Sequence, residues 1–217
     1  MGALLSFMAV GMIEDLLADI AVGGRVALAR GLNVVSQGEG APPKPTRRPP
    51  CFGVTGAPGS GKSTLINALI TALRGREKTI GVLSVDPSHP ITGGALLGDR
   101  IRMNAHNQDP HVFIRSLGSR GSGTGVAPLL GPMIDLMGHF PFDVIFVETV
   151  GVGQLDTAIV PLVDQVIMVT TPGSGDDIQA MKASNLDIAD AVVLNKADMP
   201  EADVYRQEKA LLLRAEI

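Results

Sequence analysis

A chain of 217 residues with 45% hydrophobic and 18% charged side chains carries enough apolar surface for a buried core and is not an intrinsically disordered polymer. Eighteen Lys and Arg against 22 Asp and Glu leave a formal net charge of −4, no footprint for nucleic acid, and 3% aromatics without Trp give no platform for stacked bases. The single cysteine, Cys51, excludes an internal disulfide and a multi-Cys zinc site, and His89, His106, His111 and His139 are scattered without metal-ligand spacing.

The first thirteen residues are uncharged but too few to cross a bilayer, and Glu14, Asp15 and Asp19 follow them. There is no basic start and no clear cleavage site, so the expectation is a cytoplasmic protein whose N-terminus packs on the domain. Residues 3–35 read as helical, with Leu16, Leu17, Ile20, Val26, Leu28 and Val34 at three- and four-residue spacing and a division at Gly23-Gly24. This predicts a small N-terminal helical extension over 1–37. The run GEGAPPKPTRRPP over 38–50 is a Pro-rich linker, because proline neither continues a helix nor donates to a ladder.

From residue 51 to 217 the pattern alternates strand and helix. Strands are expected at Cys51–Thr55, Thr79–Val85, His111–Arg115, Phe142–Val147, Asp164–Thr170 and Ala191–Leu194. Helices are expected over 62–74, over Val126–Gly138 despite Pro128 and Pro132, and over 201–215. Unbroken β-branched runs between helices predict an α/β fold, a mainly parallel sheet covered on both faces.

Gly56-Ala57-Pro58-Gly59-Ser60-Gly61-Lys62-Ser63 fits G-x-x-x-x-G-K-[ST] between a strand and a helix, the P-loop NTPase arrangement. Glycines let backbone N–H groups turn inward onto phosphate oxygens, and the helix adds its positive end. Lys62 supplies a cation to the β/γ-phosphates, the Ser63 hydroxyl suits Mg²⁺, and Thr64 belongs to the same nucleotide-binding set. The alternative is a tight glycine turn without a ligand. Glu148, at the end of FDVIFV, is a second candidate for Mg²⁺, with a capping or surface carboxylate as the alternative. Asp86 ends the TIGVLSV strand on the same edge and can hold Mg²⁺ or orient the attacking water; an Asp-Pro turn with Pro87 is its other reading. Lys62, Asp86 and Glu148 therefore form the candidate catalytic set, and Gly151 can approach a γ-phosphate with its N–H. The Gly- and Pro-containing run from Pro87 to Met103 suits a loop that orders around the triphosphate, joined by Asp99 and Arg100, which a solvated helix start explains equally well.

Asn195-Lys196-Ala197-Asp198 follows a strand. A carboxylate at Asp198 accepts from guanine N1–H and N2–H₂ together, a donor pair that adenine lacks. Asn195 can bind O6/N7 or tie the loop to the phosphate cradle, and the Lys196 stem can lie along the base.

These residues resemble the MeaB/MMAA-type GTPases, also called ArgK or lysine/arginine/ornithine transport kinases. The resemblance covers roughly 25–200, through GRVALARGLNVVS, GVTGAPGSGKSTLINAL, VLSVDPSHPITGGALLGDRIRM, VFIRSLGSRG, FDVIFVETVGVGQ, PGSGDDIQAMKA and NKAD. It implies a Mg²⁺-dependent GTP hydrolase acting as a chaperone for an adenosylcobalamin-dependent acyl-CoA mutase, typically methylmalonyl-CoA mutase, gating cofactor loading. By position it implies phosphate and Mg²⁺ roles for Lys62, Ser63, Asp86, Asp99 and Glu148. Val150–Gln154, with Gly151 and Gln154, becomes a second switch. Gly173–Lys182, with Asp176 and Lys182, becomes a third, linked to partner-stimulated hydrolysis.

Departures from the family pattern are His89 where a small residue is usual, the altered GSRGSGTGVAPLLGPM run, and no glutamine directly after Gly151, from which slow intrinsic hydrolysis is expected. The family's homodimer-forming helical arm and the later strand that completes its base pocket have no counterpart before Ile217, so a truncated chain is expected. Competing readings are a metal-delivery GTPase, which would bring Cys/His motifs, an ATP-using kinase, which N-K-x-D opposes, and a nucleotide sensor that does not hydrolyse.

Overall fold

The computed structural model describes residues 2–86, 106, 108–118, 127–149, 158–172, 188–199 and 202–203. Six strands form one sheet: β1 (Cys51–Thr55), β2 (Ile80–Asp86), β3 (Val112–Gly118), β4 (Val144–Glu148), β5 (Gln165–Thr170) and β6 (Ala191–Leu194), in the order β3-β2-β4-β1-β5-β6. Every pairing is parallel. All six strands therefore deliver their carboxyl ends to one rim, the edge where open α/β sheets bind ligands. The α/β class expected from the sequence, a parallel sheet with helices on both faces, is what the chain adopts.

Period-two alternation decides what each face of the sheet holds. On one face lies α3 (Lys62–Arg74), whose Ile66 and Ile70 pack with Val54, Ile80, Val82, Val112, Val144, Phe146 and Val169. On the other, Leu83, Val85, Ile145 and Val147 meet α1 (Gly2–Ala21), α2 (Arg25–Ser36) and α4 (Ala127–Gly138). The N-terminal helices are thus part of a core layer, with Ile13, Ile20, Leu28 and Leu32 fully buried. Gly31 of α2 permits that approach, since a Cβ there would stand 2.8 Å from Leu136 Cδ2. Among the described residues no helix is long and apolar enough to cross a membrane.

Element boundaries shift by a few residues, for identifiable reasons. β3 runs on to Gly118 because β2 pairs with it from Ile80↔Val112 through Asp86↔Gly118. β4 starts only at Val144; Phe142 instead stacks against Phe140, centroids 4.3 Å apart. Pro132 lies inside α4, where it removes one helical hydrogen bond. The helix persists because Leu130, Met133, Ile134, Leu136 and Met137 are all buried, and packing outweighs propensity. A 3₁₀ turn at Val160–Leu162 was not expected. Of the helix expected over 201–215, only residues 202–203 lie within the described chain.

The amino ends of the strands share a device. Asp143, Asp164 and Asp190 each stand just before a strand and donate their own N–H to a carbonyl at the start of the neighbouring strand, at Thr79, Cys51 and Val166 (2.8, 2.8 and 2.9 Å). Each carboxylate then accepts the N–H of that same residue, all at 2.7 Å. Each two-point clasp satisfies an N–H at a strand's start that would otherwise cost a lost hydrogen bond.

Candidate functional site

The phosphate loop leaves β1 at Thr55 and enters α3 at Lys62. Two glycines are required by geometry. Gly56 has φ +138°, and a side chain there would collide with the Val169 carbonyl; Gly61 has φ +92°, and a side chain there would collide with the Asn195 amide. Gly61 caps α3 without a side-chain acceptor, so the first turn presents backbone N–H groups that an anion can satisfy. Lys62 is buried, and its ammonium donates to the carbonyls of Gly56 (2.8 Å) and Ala57 (3.1 Å), curling over the loop. Ser60 Oγ is buried in the loop with no hydrogen-bond partner among the described residues. A loop held in shape by two required glycines, with an orphaned hydroxyl within it, fits a phosphate-binding loop.

Glu148 ends β4, paired with Val54 of β1 on one side and Ser84 of β2 on the other. Its side chain shares the face that carries Val144 and Phe146, hence the face of α3. Buried at 4% exposure, its carboxylate accepts from Ser63 Oγ at 2.6 Å and from Ser84 Oγ at 3.1 Å. A hydroxyl and a carboxylate in contact form a hard-oxygen pair of the kind Mg²⁺ takes, with water and phosphate completing the shell. Among the described residues no group of three or more His, Cys, Asp or Glu stands ready to hold a metal by itself.

At the far side of the rim, β6 ends at Leu194 and Asn195 donates its backbone N–H to Thr170 O at 2.8 Å. Its side-chain Nδ2 reaches across to Ser60 O, also at 2.8 Å. Of the two roles open to Asn195, the structure displays the tie to the cradle. Lys196 adopts a left-handed conformation (φ +53°), and Met199 N–H closes a turn onto Lys196 O at 3.1 Å. That turn leaves Lys196 and Asp198 exposed.

Lys62, Ser63, Glu148 and Asn195 therefore share one rim with the loop. Thr64 follows on the first turn of α3. Asp86 is the last residue of β2, its backbone opposite Gly118, but its side chain is not described. Asp99, Gly151, Gln154, Asp176 and Lys182 lie outside the described residues, as does His89. Ser84 escaped the sequence reading. The available signal was parity: a polar residue at the alternate position from Asp86, inside an apolar strand.

Residues 44–216 match the family described as methylmalonyl Co-A mutase-associated GTPase MeaB. The chain is 45% identical over 212 residues to a Pyrococcus abyssi protein that carries a GTPase designation; the match covers 94% of this chain and 65% of that protein. It is 40% identical over 202 residues to the fused isobutyryl-CoA mutase of Cupriavidus metallidurans, covering 88% of this chain and 18% of the relative. Among solved structures it superposes on one described as a LAO/AO transport system kinase with a TM-score of 0.64 at 24% identity, covering 91% of this chain and 61% of that one. At that identity the likeness concerns the fold.

Proposed function

Because the chain belongs to the family of methylmalonyl Co-A mutase-associated GTPases, MeaB, we propose that it binds GTP along the carboxyl-end rim of its sheet and hydrolyses it with water to GDP and phosphate. The observation that carries this reading is the Asn195–Ser60 hydrogen bond, 2.8 Å long, which joins the guanine-reading motif to the phosphate loop. The turn at Asp198 would read the base while the loop and the start of α3 hold the phosphates. Lys62 would exchange its carbonyl partners for β/γ-phosphate oxygens, so that its ammonium meets anionic acceptors in place of neutral ones. Ser63 and Glu148 would hold Mg²⁺, with Asp86 and Asp99 as further candidates. When bound, the ion neutralises charge on the phosphate oxygens. Asp86 is also the candidate for orienting the attacking water, and without a glutamine directly after Gly151 slow unassisted turnover is expected.

The partner proposed is an adenosylcobalamin-dependent acyl-CoA mutase of the methylmalonyl-CoA type, met in the cytoplasm, with this chain as its chaperone. Its support is the family description and the 40% identity to a fused isobutyryl-CoA mutase. Calorimetric titration with GTP, GDP and ATP tests the core of the reading. Guanine nucleotides should bind at least about 1,000-fold tighter than ATP, as polar groups left unpaired by the wrong base predict. Asp198→Asn should cut that discrimination on the order of 100-fold. Preference for ATP would instead favour the transport-kinase reading and end this one.

A further inference from the structure

Ser84 stands third from the end of β2, and its side chain is 1% exposed. Ile80 and Val82, at alternate positions before it, pack in the α3 layer, while Leu83 and Val85 pack in the opposite one. Alternation thus directs the Ser84 hydroxyl to the α3 side, beside its register partner Glu148. A hydroxyl buried in an apolar strand is costly unless bonded, and this one donates to Glu148 Oε2 at 3.1 Å. The other oxygen, Oε1, accepts from Ser63 at 2.6 Å. The terminal torsion of a glutamate is soft, so one hydrogen bond leaves the carboxylate plane free to swing about the bonded oxygen. A second bond, from a different element, fixes that plane.

Building on the nucleotide site proposed above, we propose that Ser84 is a positioning residue for the divalent cation. By holding Oε2 against β2 it keeps Oε1 turned to Ser63 and to the nucleotide side of the rim. Ser84 reaches the cation through its hydrogen bond to Glu148, so its removal should weaken the cation without weakening the nucleotide. A hydrogen bond to a charged group contributes roughly tenfold in a binding constant, which sets the expected size.

The test compares Ser84→Ala, Ser84→Thr and Ser63→Ala in the full chain. Mn²⁺ binding to the protein–GDP complex is read by electron paramagnetic resonance. GDP affinity in EDTA is read by fluorescence of a labelled nucleotide. Ser84→Ala should raise the Mn²⁺ dissociation constant about tenfold and leave GDP affinity in EDTA unchanged. Ser84→Thr, which keeps the hydroxyl, should restore Mn²⁺ affinity to within about twofold. If the added methyl prevents folding, Ser84→Cys, a weaker donor of similar size, should recover part of the loss. Mn²⁺ affinity unchanged in Ser84→Ala but weakened in Ser63→Ala overturns the positioning role and spares the site. Mn²⁺ affinity unchanged in both variants overturns the cation side of the site reading and this proposal with it. Loss of GDP affinity in EDTA, with Mn²⁺ binding unaltered, assigns Ser84 a purely structural part and overturns the proposal.

Discussion

The two rims of the sheet handle charge in opposite ways. At the amino rim Asp109, Asp143, Asp164 and Asp190 are each closed by a cation, a backbone N–H or both. Asp164 takes Arg48 at 2.6 Å and the Cys51 N–H, and Asp143 takes Lys78 at 3.0 Å and the Thr79 N–H. Asp109, on the approach to β3, takes Arg74 at 2.7 Å and the His111 N–H. At the carboxyl rim Glu148 accepts from the hydroxyls of Ser63 and Ser84, and Lys62 donates to the carbonyls of Gly56 and Ala57. Neutral partners are exchanged for a charged ligand at little cost, whereas a carboxylate already matched to a guanidinium has little to gain. The amino rim also contains a cavity of about 710 Å³, between the linker at Arg47–Pro50 and the segment from Gly138 to Asp143, in which Arg48, Asp143 and Asp164 are already paired. The same parallel sheet makes one edge a fastening and leaves the other for the nucleotide proposed above.

The sharpest way to break this contrast is to remove the charge that the receptor rim offers. Lys62→Ala should weaken GTP and GDP by roughly 100-fold, the value of charge-assisted phosphate bonds, with little change in thermal stability. Isothermal titration checks it; equal affinity would mean that the loop does not hold the phosphates. Asp164→Ala at the other rim should do the reverse. It strands the N–H of the fully buried Cys51 and releases Arg48, whose other hydrogen bond goes to Leu162 O at 2.7 Å. A loss of about 1–3 kcal/mol in unfolding free energy is expected, measured by urea denaturation, with guanine affinity unchanged in the folded protein. A variant that loses nucleotide affinity while keeping its stability would show that the rims are coupled.

Much of this was legible in the sequence because it rests on local signals. Gly56 and Gly61 are demanded by backbone angles and close approach, and a glycine spacing records such demands directly. The apolar runs that became β1, β2, β4, β5 and β6 gave the parallel sheet, since strands buried on both faces have no polar side to show. What was not legible depends on registers between distant strands. Nothing near Ser84 in the chain announces Glu148, 64 residues away; only the pairing of β2 with β4 brings them together. Asp143 and Asp164 fell inside the strands expected over Phe142–Val147 and Asp164–Thr170; only the neighbouring strand, which supplies the N–H that each one caps, sets them before the strands, as it does Asp190. Likewise α1 and α2 were expected to pack on the domain, but which strands they cover was not legible, because those strands come later in the chain.

The smallest expected effect concerns acid, and it separates the rims by their protons. Hydrogen bonds from the Arg74 side chain and the His111 backbone N–H hold Asp109 below the ordinary carboxylate range. The Thr79 N–H, then Lys78, does the same for Asp143. Both carboxyls bind protons less readily folded than unfolded. Their contribution to stability is therefore complete above the ordinary carboxylate value and is lost as pH falls through the lower folded values. Asp143 is exposed and Asp109 part-buried, and screening by solvent keeps the effect modest. Thermal melts should be flat above about pH 5 and decline below about pH 4. Asp143→Asn should flatten part of that decline, because the amide has no carboxyl proton to gain. Cys51 adds nothing to the slope: burial pushes its thiol up to about 12, so it stays protonated throughout. An acid slope identical in Asp143→Asn and the parent chain would mean that the amino rim is not what acid unfastens, and the contrast between a closed edge and a receptive one would then rest on the nucleotide side alone.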